Sequence, residues 1–259
     1  MEPLPYIRDV ELKRDLVRSF DYYPFSIPAI KNLDTLEFGK EVTILVGENG
    51  SGKSTLLEAI AVSLGFNPEG GTKNVHFETR DTHSELYEYI RISRSFKKFR
   101  DGFFLRAESF YNVATHIDEL DSVEYNFGFS KENPPPAPVS NAYGGKSLHK
   151  QSHGESFLSL MLNRFAGHGL YILDEPEAAL SPTRQLAILS RIYQLVANQS
   201  QFIIATHSPI IMAYPKAKIY QVDSSGIYPI KYEETEHYEV TKFFLNNPDK
   251  MLKELFSGD

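Results

Sequence analysis

Nine consecutive residues, Gly47-Glu48-Asn49-Gly50-Ser51-Gly52-Lys53-Ser54-Thr55, restrict this chain more than any other feature. They fit the pattern G-x-x-x-x-G-K-[ST] in full. The run Glu41 to Val46 before them is short and β-branched, as a buried parallel strand would be. After them, apolar residues at 56, 57, 60, 61 and 64 fall at helical spacing, and Gly65 is a plausible stop. Glycines at these positions let successive backbone N–H groups turn inward around an anion, and the following helix adds its positive N-terminal end. Lys53 would then reach the β- and γ-phosphates of a nucleotide, with the Ser54 hydroxyl as a Mg²⁺ ligand. A glycine-rich turn that matches by chance is the alternative. The strand before and the helix after argue against it.

A second chemical block lies far along the chain. Leu170-Tyr171-Ile172-Leu173 is an apolar strand that runs into Asp174-Glu175-Pro176. A carboxylate at a strand end beside a phosphate loop can hold Mg²⁺ directly or through water, which is the role expected of Asp174. Glu175, one residue on, could take a proton from an attacking water. Paired acids before a proline also suit a helix start, so the block alone does not decide.

The remaining pattern is mixed α/β. A loosely alternating strand, read as an edge strand, spans about 6–12, and a proline-broken stretch spans 20–29. Residues of about 72–107 read as a β-rich lobe, with alternation from Leu86 to Ile92 and a second strand at Phe103–Leu105. A helix is expected over 109–120, then a flexible loop over about 121–145 carrying Pro134, Pro135, Pro136 and Pro138. Helices over 155–165 and 182–197 flank the strand at 170–173, and another strand covers 201–205. The tail at about 235–257 suggests two short helices whose apolar residues pack on the core or form a lid.

Composition bounds the function. Lys plus Arg is 27 against 34 Asp plus Glu, a net charge of −7, which excludes a uniformly basic nucleic-acid coat. There is no cysteine, so disulfides, thiolate metal sites and a cysteine nucleophile are excluded. No apolar run approaches the roughly 18–20 residues that span a bilayer. The charged N-terminal stretch does not read as a signal peptide, and the expected location is cytoplasmic.

Five blocks in order make the chain similar to the ABC-type ATPase superfamily, which holds transporter motors and soluble SMC- and RecF-like ATPases. They are the phosphate loop, Ser152-His153-Gly154-Glu155, the strand ending in Asp174 and Glu175, Ala179-Leu180-Ser181-Pro182, and Thr206-His207-Ser208-Pro209. The separations from Glu155 to Asp174 and from Glu175 to His207 are also family-like. The resemblance covers about residues 5–230. It implies a P-loop fold of ABC-ATPase type: one domain over 1–259, a mainly parallel sheet flanked by helices, an antiparallel β lobe and a C-terminal helical tail.

It further implies ATP and Mg²⁺ as ligands, hydrolysis to ADP and phosphate, and an ATP-dependent head-to-tail homodimer. In that dimer Ser152, His153, Gly154 and Glu155 of one subunit would close on the γ-phosphate held by the other. His207 would sense that phosphate, and Glu175 would be the general base.

Three departures separate the chain from the transporter pattern. The signature L-S-G-G-Q reads Gln151-Ser152-His153-Gly154-Glu155. Arg106-Ala107-Glu108-Ser109 stands where a Q-loop glutamine is expected, leaving Glu108 as the candidate substitute. The adenine contact stays open among Tyr22, Tyr23, Phe25, Lys13 and Arg14. Ile30-Lys31-Asn32-Leu33 and the spelling Gly-Glu-Asn-Gly look more like the SMC and RecF branch. About 100 residues separate Lys53 from Ser152, and none sustains coiled-coil heptads.

The expected function is therefore a soluble ATP-driven dimerisation switch with an unknown protein partner; a link to DNA repair or anti-phage defence rests on analogy. The alternatives are the ATP-binding subunit of a transporter and a nucleotide-binding scaffold with little hydrolysis. Arg91, Arg94, Lys97, Lys98 and Arg100, with Phe96 and Phe99 between them, could meet a nucleic-acid backbone. They could equally be a solvated, charge-protected strand edge.

Overall fold

Strands that are apolar nearly throughout must be covered on both faces, and three of the predicted ones are. In the computed structural model, which describes residues 5–73, 84–122, 140–141, 145, 153–178 and 180–257, β3 (Val42–Val46), β6 (Gly169–Asp174) and β7 (Gln201–Ala205) are buried throughout. With β5 (Asp101–Arg106), β8 (Lys218–Asp223) and β9 (Gly226–Pro229) they form a six-stranded sheet in the order β5-β6-β7-β3-β8-β9. All neighbours are parallel except β8 and β9.

Because side chains alternate along a strand, each strand feeds two cores. Leu45, Phe104, Leu170, Ile172, Ile203 and Ala205 point to one face, where α2 (Lys53–Ser63) packs. Val42, Ile44, Val46, Tyr171, Leu173 and Ile204 point to the other. That second face is covered by α3 (Phe110–Ser122), α4 (His153–Asn163), α5 (Pro182–Ala197) and α6 (Pro209–Met212).

A second, antiparallel sheet lies on the α2 side, with β1 (Ile7–Leu12) between β2 (Thr35–Glu37) and β4 (Ile90–Arg94). The short helix α1 (Pro28–Lys31) precedes β2, and Ile27 and Ala29 lie against Gly52 of the phosphate loop. Gln201, almost fully buried at the start of β7, joins the two sheets. Its Oε1 accepts from the N–H groups of Tyr6 (2.9 Å) and Ile7 (3.1 Å), while its Nε2 donates to the carbonyls of Ile7 and Gly39, both at 2.9 Å.

Several expectations need correction. The opening strand is not an edge strand; it is the middle one of its sheet, because Ile7, Val10 and Leu12 face the core and both its edges are paired. The alternation from Leu86 to Ile92 is not one strand. Glu85–Glu88 winds into a 3-10 turn that buries Leu86, and Ser63 on α2 holds it through a hydrogen bond from Oγ to the Tyr87 carbonyl (2.9 Å). The strand at Phe103–Leu105 joins the parallel sheet next to β6, so the antiparallel lobe is β2-β1-β4 without it. Its three residues are apolar and buried, which suits a two-sided sheet better than a lobe.

The tail forms two helices, α7 (Glu236–Asn246) and α8 (Pro248–Phe256), as the sequence suggests. Neither buries a residue: Phe243, Leu245, Leu255 and Phe256 are exposed, so the tail is not core packing. Most of the expected loop at 121–145 lies outside the described residues, as do Gln151, Ser152 and Ala179.

Gln201→Met keeps the volume but leaves backbone donors and acceptors of Tyr6, Ile7 and Gly39 unpaired. Equilibrium urea unfolding should show a loss of about 2–4 kcal/mol, since a buried group left without its partner costs about 1–3 kcal/mol. A loss below about 0.5 kcal/mol, the range of ordinary surface substitutions, would show that the glutamine does not tie the layers together.

Candidate functional site

Parallel strands deliver their carboxyl ends to one edge, and the register brings four of those ends level. Arg106 on β5 pairs with Asp174 on β6, Asp174 with Ala205 on β7, and Ala205 with Leu45 on β3. The phosphate loop, the two acids and His207 therefore emerge side by side.

The loop's backbone takes conformations that only glycine adopts freely. Gly47 and Gly52 have φ of 151° and 103°. A Cβ on Gly47 would stand 2.1 Å from the Val222 carbonyl oxygen, and one on Gly52 would stand 2.8 Å from the Ile27 Cγ2. Gly52 caps α2 without any side-chain hydrogen bond, which leaves the first N–H groups of the helix facing the loop. Inside the loop, the Ser51 Oγ is buried and has no hydrogen-bond partner among the described residues.

Lys53 is only 4% exposed and donates to the carbonyls of Gly47 and Glu48, both at 2.7 Å. Burial lowers its pKa, against the opposing pull of Glu175 and Asp174. The Ser54 hydroxyl donates to Asp174 Oδ1 at 3.0 Å. An octahedral Mg²⁺ with bonds of about 2.1 Å sets adjacent oxygens about 3.0 Å apart, so this pair of oxygens fits the ion.

Asp174 is 6% exposed. Burial pushes its pKa up to about 6, which outweighs the Arg106 guanidinium and the Ser54 hydrogen bond. Arg106 Nε stands 3.8 Å from Asp174 Oδ2, while its NH1 pairs with Glu58 at 2.5 Å. The half-buried Arg106 is thus shared between Glu58 and Asp174.

Glu175 has a φ of 52°, an uncommon conformation for a residue with a side chain. Its N–H donates to the Ala205 carbonyl (2.9 Å), and its carboxylate lies 3.6 Å from His207 Nε2. Strain of this kind tends to persist where the surroundings hold it and where function uses it. The backbone of His207 is fixed by Glu177, whose Oε1 accepts from the N–H groups of His207 (2.6 Å) and Ser208 (3.1 Å). Burial raises the pKa of Glu177 and lowers that of His207. Glu48, Asn49, Glu175, His207, Glu236 and His237 line a groove of about 630 Å³ beside the loop.

Other sequence candidates fall differently. Gly154 and Glu155 lie in the first turn of α4, where Glu155 pairs with Arg184 of α5 at 3.1 Å. Ser181 caps α5. The Glu108 side chain is 87% exposed, 3.7 Å from Arg106, so Arg106 and not Glu108 approaches Asp174. Phe25 is fully buried against Tyr89 and offers no face to an adenine. Lys13 and Arg14 are spent on the carbonyls of Glu88, Lys31 and Leu33. Tyr23 is exposed, with its hydroxyl 3.5 Å from Thr55 Oγ1, and of the candidates it stands at the loop.

Three of the five cations are engaged. Arg91 pairs with Glu11, Arg94 donates to the Ser63 carbonyl (3.3 Å), and Lys97 donates to Gln199 (2.8 Å). Lys98, Arg100 and Phe96 are exposed beside a separate cavity of about 530 Å³. Sequence reasoning missed Arg106, Glu177 and His237. Of the three, Arg106 alone gives a local sign, its place at the end of an apolar strand.

A family model described as an AAA domain matches residues 17–205, about three quarters of the chain. The chain belongs to this family. It is a member of the ABC-type ATPase superfamily, with the P-loop fold of that group. Among curated proteins it is 28% identical over 227 residues to the energy-coupling factor transporter ATP-binding protein EcfA2 of Methanospirillum hungatei. The match covers 84% of this chain and 52% of that protein, so the chain spans about half of that relative's length. It spans about a third of two further relatives. Among solved structures it is similar to an SMC head domain from Thermotoga maritima, with 14% identity, 87% and 99% coverage and a TM-score of 0.45. It is also similar to an ATP-binding cassette of an ABC transporter in its ADP conformation, with 20% identity, 99% and 100% coverage and a TM-score of 0.44. Among the described residues, no helix is long and apolar enough to cross a membrane.

In the ion-free protein the raised pKa of Asp174 means that folding favours its protonated form. That contribution is complete below the unfolded value near 3.9 and is lost as pH rises through about 6. With EDTA at pH 7.5, Asp174→Asn should therefore raise the melting temperature by about 3–6 °C, and the gain should shrink to about a third of that by pH 4.5. An equal gain at both pH values, or none at 7.5, would show that Asp174 carries no burial cost.

Proposed function

We propose that the chain binds and hydrolyses ATP, and that two copies close head to tail around the nucleotide. The observation that carries this reading is the meeting of Lys53, Ser54, Asp174, Glu175 and His207 at one strand-end edge, with Ser54 and Asp174 3.0 Å apart.

In this reading the Gly47–Gly52 backbone and the N-terminus of α2 cradle the phosphates, and Lys53 leaves the two carbonyls it now touches for the β- and γ-phosphates. Ser54 and Asp174 would hold Mg²⁺, which supplies positive charge where the phosphates gather negative charge. Asp174 is then paired with a cation in a place where burial disfavours its charge. Glu175 accepts a proton from the attacking water as the water oxygen bonds to the γ-phosphorus. The bond from that phosphorus to the β–γ bridging oxygen breaks, and ADP leaves with those electrons. His207 donates to the γ-phosphate from Nε2, a buried atom that has no hydrogen-bond partner among the described residues. Gly154 and Glu155, with Ser152 and His153, would complete the neighbour's site from the start of α4.

A second reading is favoured by the relatives: EcfA2 is named as a transporter ATP-binding protein, and the similarity extends over most of this chain. Here the chain would be the motor of a membrane partner, and detergent co-purification with a membrane protein would separate the two. No observation favours a nucleic-acid partner over a protein one, since Arg91, Arg94 and Lys97 are already engaged.

Glu175→Gln should lower steady-state phosphate release by about 10²- to 10⁴-fold, the usual contribution of a general base. It should keep ATP bound and shift the chain to a dimer on size exclusion with Mg·ATP. Wild-type turnover in this variant would remove Glu175 from the chemistry. A monomer at saturating ATP would remove the dimer.

A further inference from the structure

His207 hydrogen-bonds through its ring to a residue that no motif includes. Its Nδ1 lies 3.0 Å from Nε2 of His237, in the first turn of α7, with the ring centroids 5.2 Å apart. Both rings face the groove beside the phosphate loop. We propose that His237 is a positioning residue for His207, donating its Nε2–H to His207 Nδ1 so that His207 carries its own proton on Nε2 and aims it at the γ-phosphate. This rests on the ATPase reading above and adds a residue to it.

The direction of the hydrogen bond follows from the neighbours. The two rings share one hydrogen between Nδ1 and Nε2, so only one of them donates. The Glu175 carboxylate stands 3.6 Å from His207 Nε2, and a negative group favours a proton there over a lone pair. Nδ1 of His207 is then the acceptor, and the shared hydrogen belongs to His237. The opposite tautomer would turn a lone pair toward both Glu175 and an anionic phosphate. Burial and the nearby Lys53 charge lower the pKa of His207, and burial and His207 lower that of His237, so both rings are neutral near pH 7 and the tautomer matters.

The fold gives this contact a rigid base. Thr235, fully buried, caps α7 and donates its hydroxyl to the Tyr232 carbonyl at 2.8 Å. The Tyr232 hydroxyl donates to the carbonyl of Pro209 at 3.0 Å, only two residues beyond His207. Tyr232 and Tyr238 also pack with their rings 4.6 Å apart. The start of α7 is thus fastened to the segment that bears His207, while the rest of the helix buries nothing. Glu177 fixes the His207 backbone and His237 fixes its ring.

Steady-state ATPase of the full chain with Mg·ATP tests the proposal. His237→Ala should lower kcat by about 5- to 30-fold, the worth of one orienting hydrogen bond in a buried site. KM for ATP should stay within about twofold, because the phosphate loop is untouched. His237→Gln places an amide N–H near the former Nε2–H and should recover most of the rate. The double variant His207→Ala with His237→Ala should be no slower than His207→Ala alone, since His237 acts through His207. Full turnover in His237→Ala beside a slow His207→Ala would overturn this inference and leave the ATPase reading standing. A glutamine variant as slow as the alanine one, or additive losses in the double variant, would overturn it too. Wild-type turnover in His207→Ala would overturn the role of His207 and this inference together.

Discussion

Asp174 is an acid at the end of a fully buried strand, and burying a carboxylate is unfavourable unless a positive charge meets it. Arg106 meets it only in part, because its guanidinium is committed to Glu58 as well. From the other side of the sheet edge Ser54 reaches Asp174 from the first turn of α2 and adds one hydrogen bond, yet burial still outweighs both partners. Every other feature of the site is arranged around that pair. The glycines permit the loop to bring Ser54 there, β7 separates β3 from β6 by one position, and His207 leaves β7 level with both.

The scaffold that holds this edge depends on burial from two sides. The six-stranded sheet is sandwiched between an antiparallel layer with α2 and a set of helices on the opposite face. From its place on β7, Gln201 satisfies backbone groups of Tyr6, Ile7 and Gly39, which fixes the position of β1 against the start of β7. The tail contributes differently. α7 and α8 add almost no core, yet the first turn of α7 brings Glu236 and His237 to the mouth of the groove.

Much of the site could be read before any fold was known, for a physical reason. The phosphate loop works through backbone geometry, so its glycines, lysine and serine must be adjacent, and a local pattern reveals them. The same holds for the acids after β6 and the histidine after β7, each at the end of a doubly buried apolar run. What escaped was non-local. Arg106 matters because β5 lies beside β6, a pairing that the apolar run at Phe103–Leu105 does not spell out. Glu177 and His237 act on His207 from thirty residues away in either direction. The Leu86 turn was missed because a period-two pattern also fits a residue buried by a 3-10 turn against α2.

Magnesium dependence of ATP binding goes to the heart of the matter, since Ser54 and Asp174 are argued to share one ion. Calorimetric titration of ATP into the full chain should show tighter binding with Mg²⁺ than with EDTA, and Asp174→Asn should abolish most of that difference. Equal affinity with and without Mg²⁺ in the wild-type chain, or no ATP binding at all, would contradict the site described here.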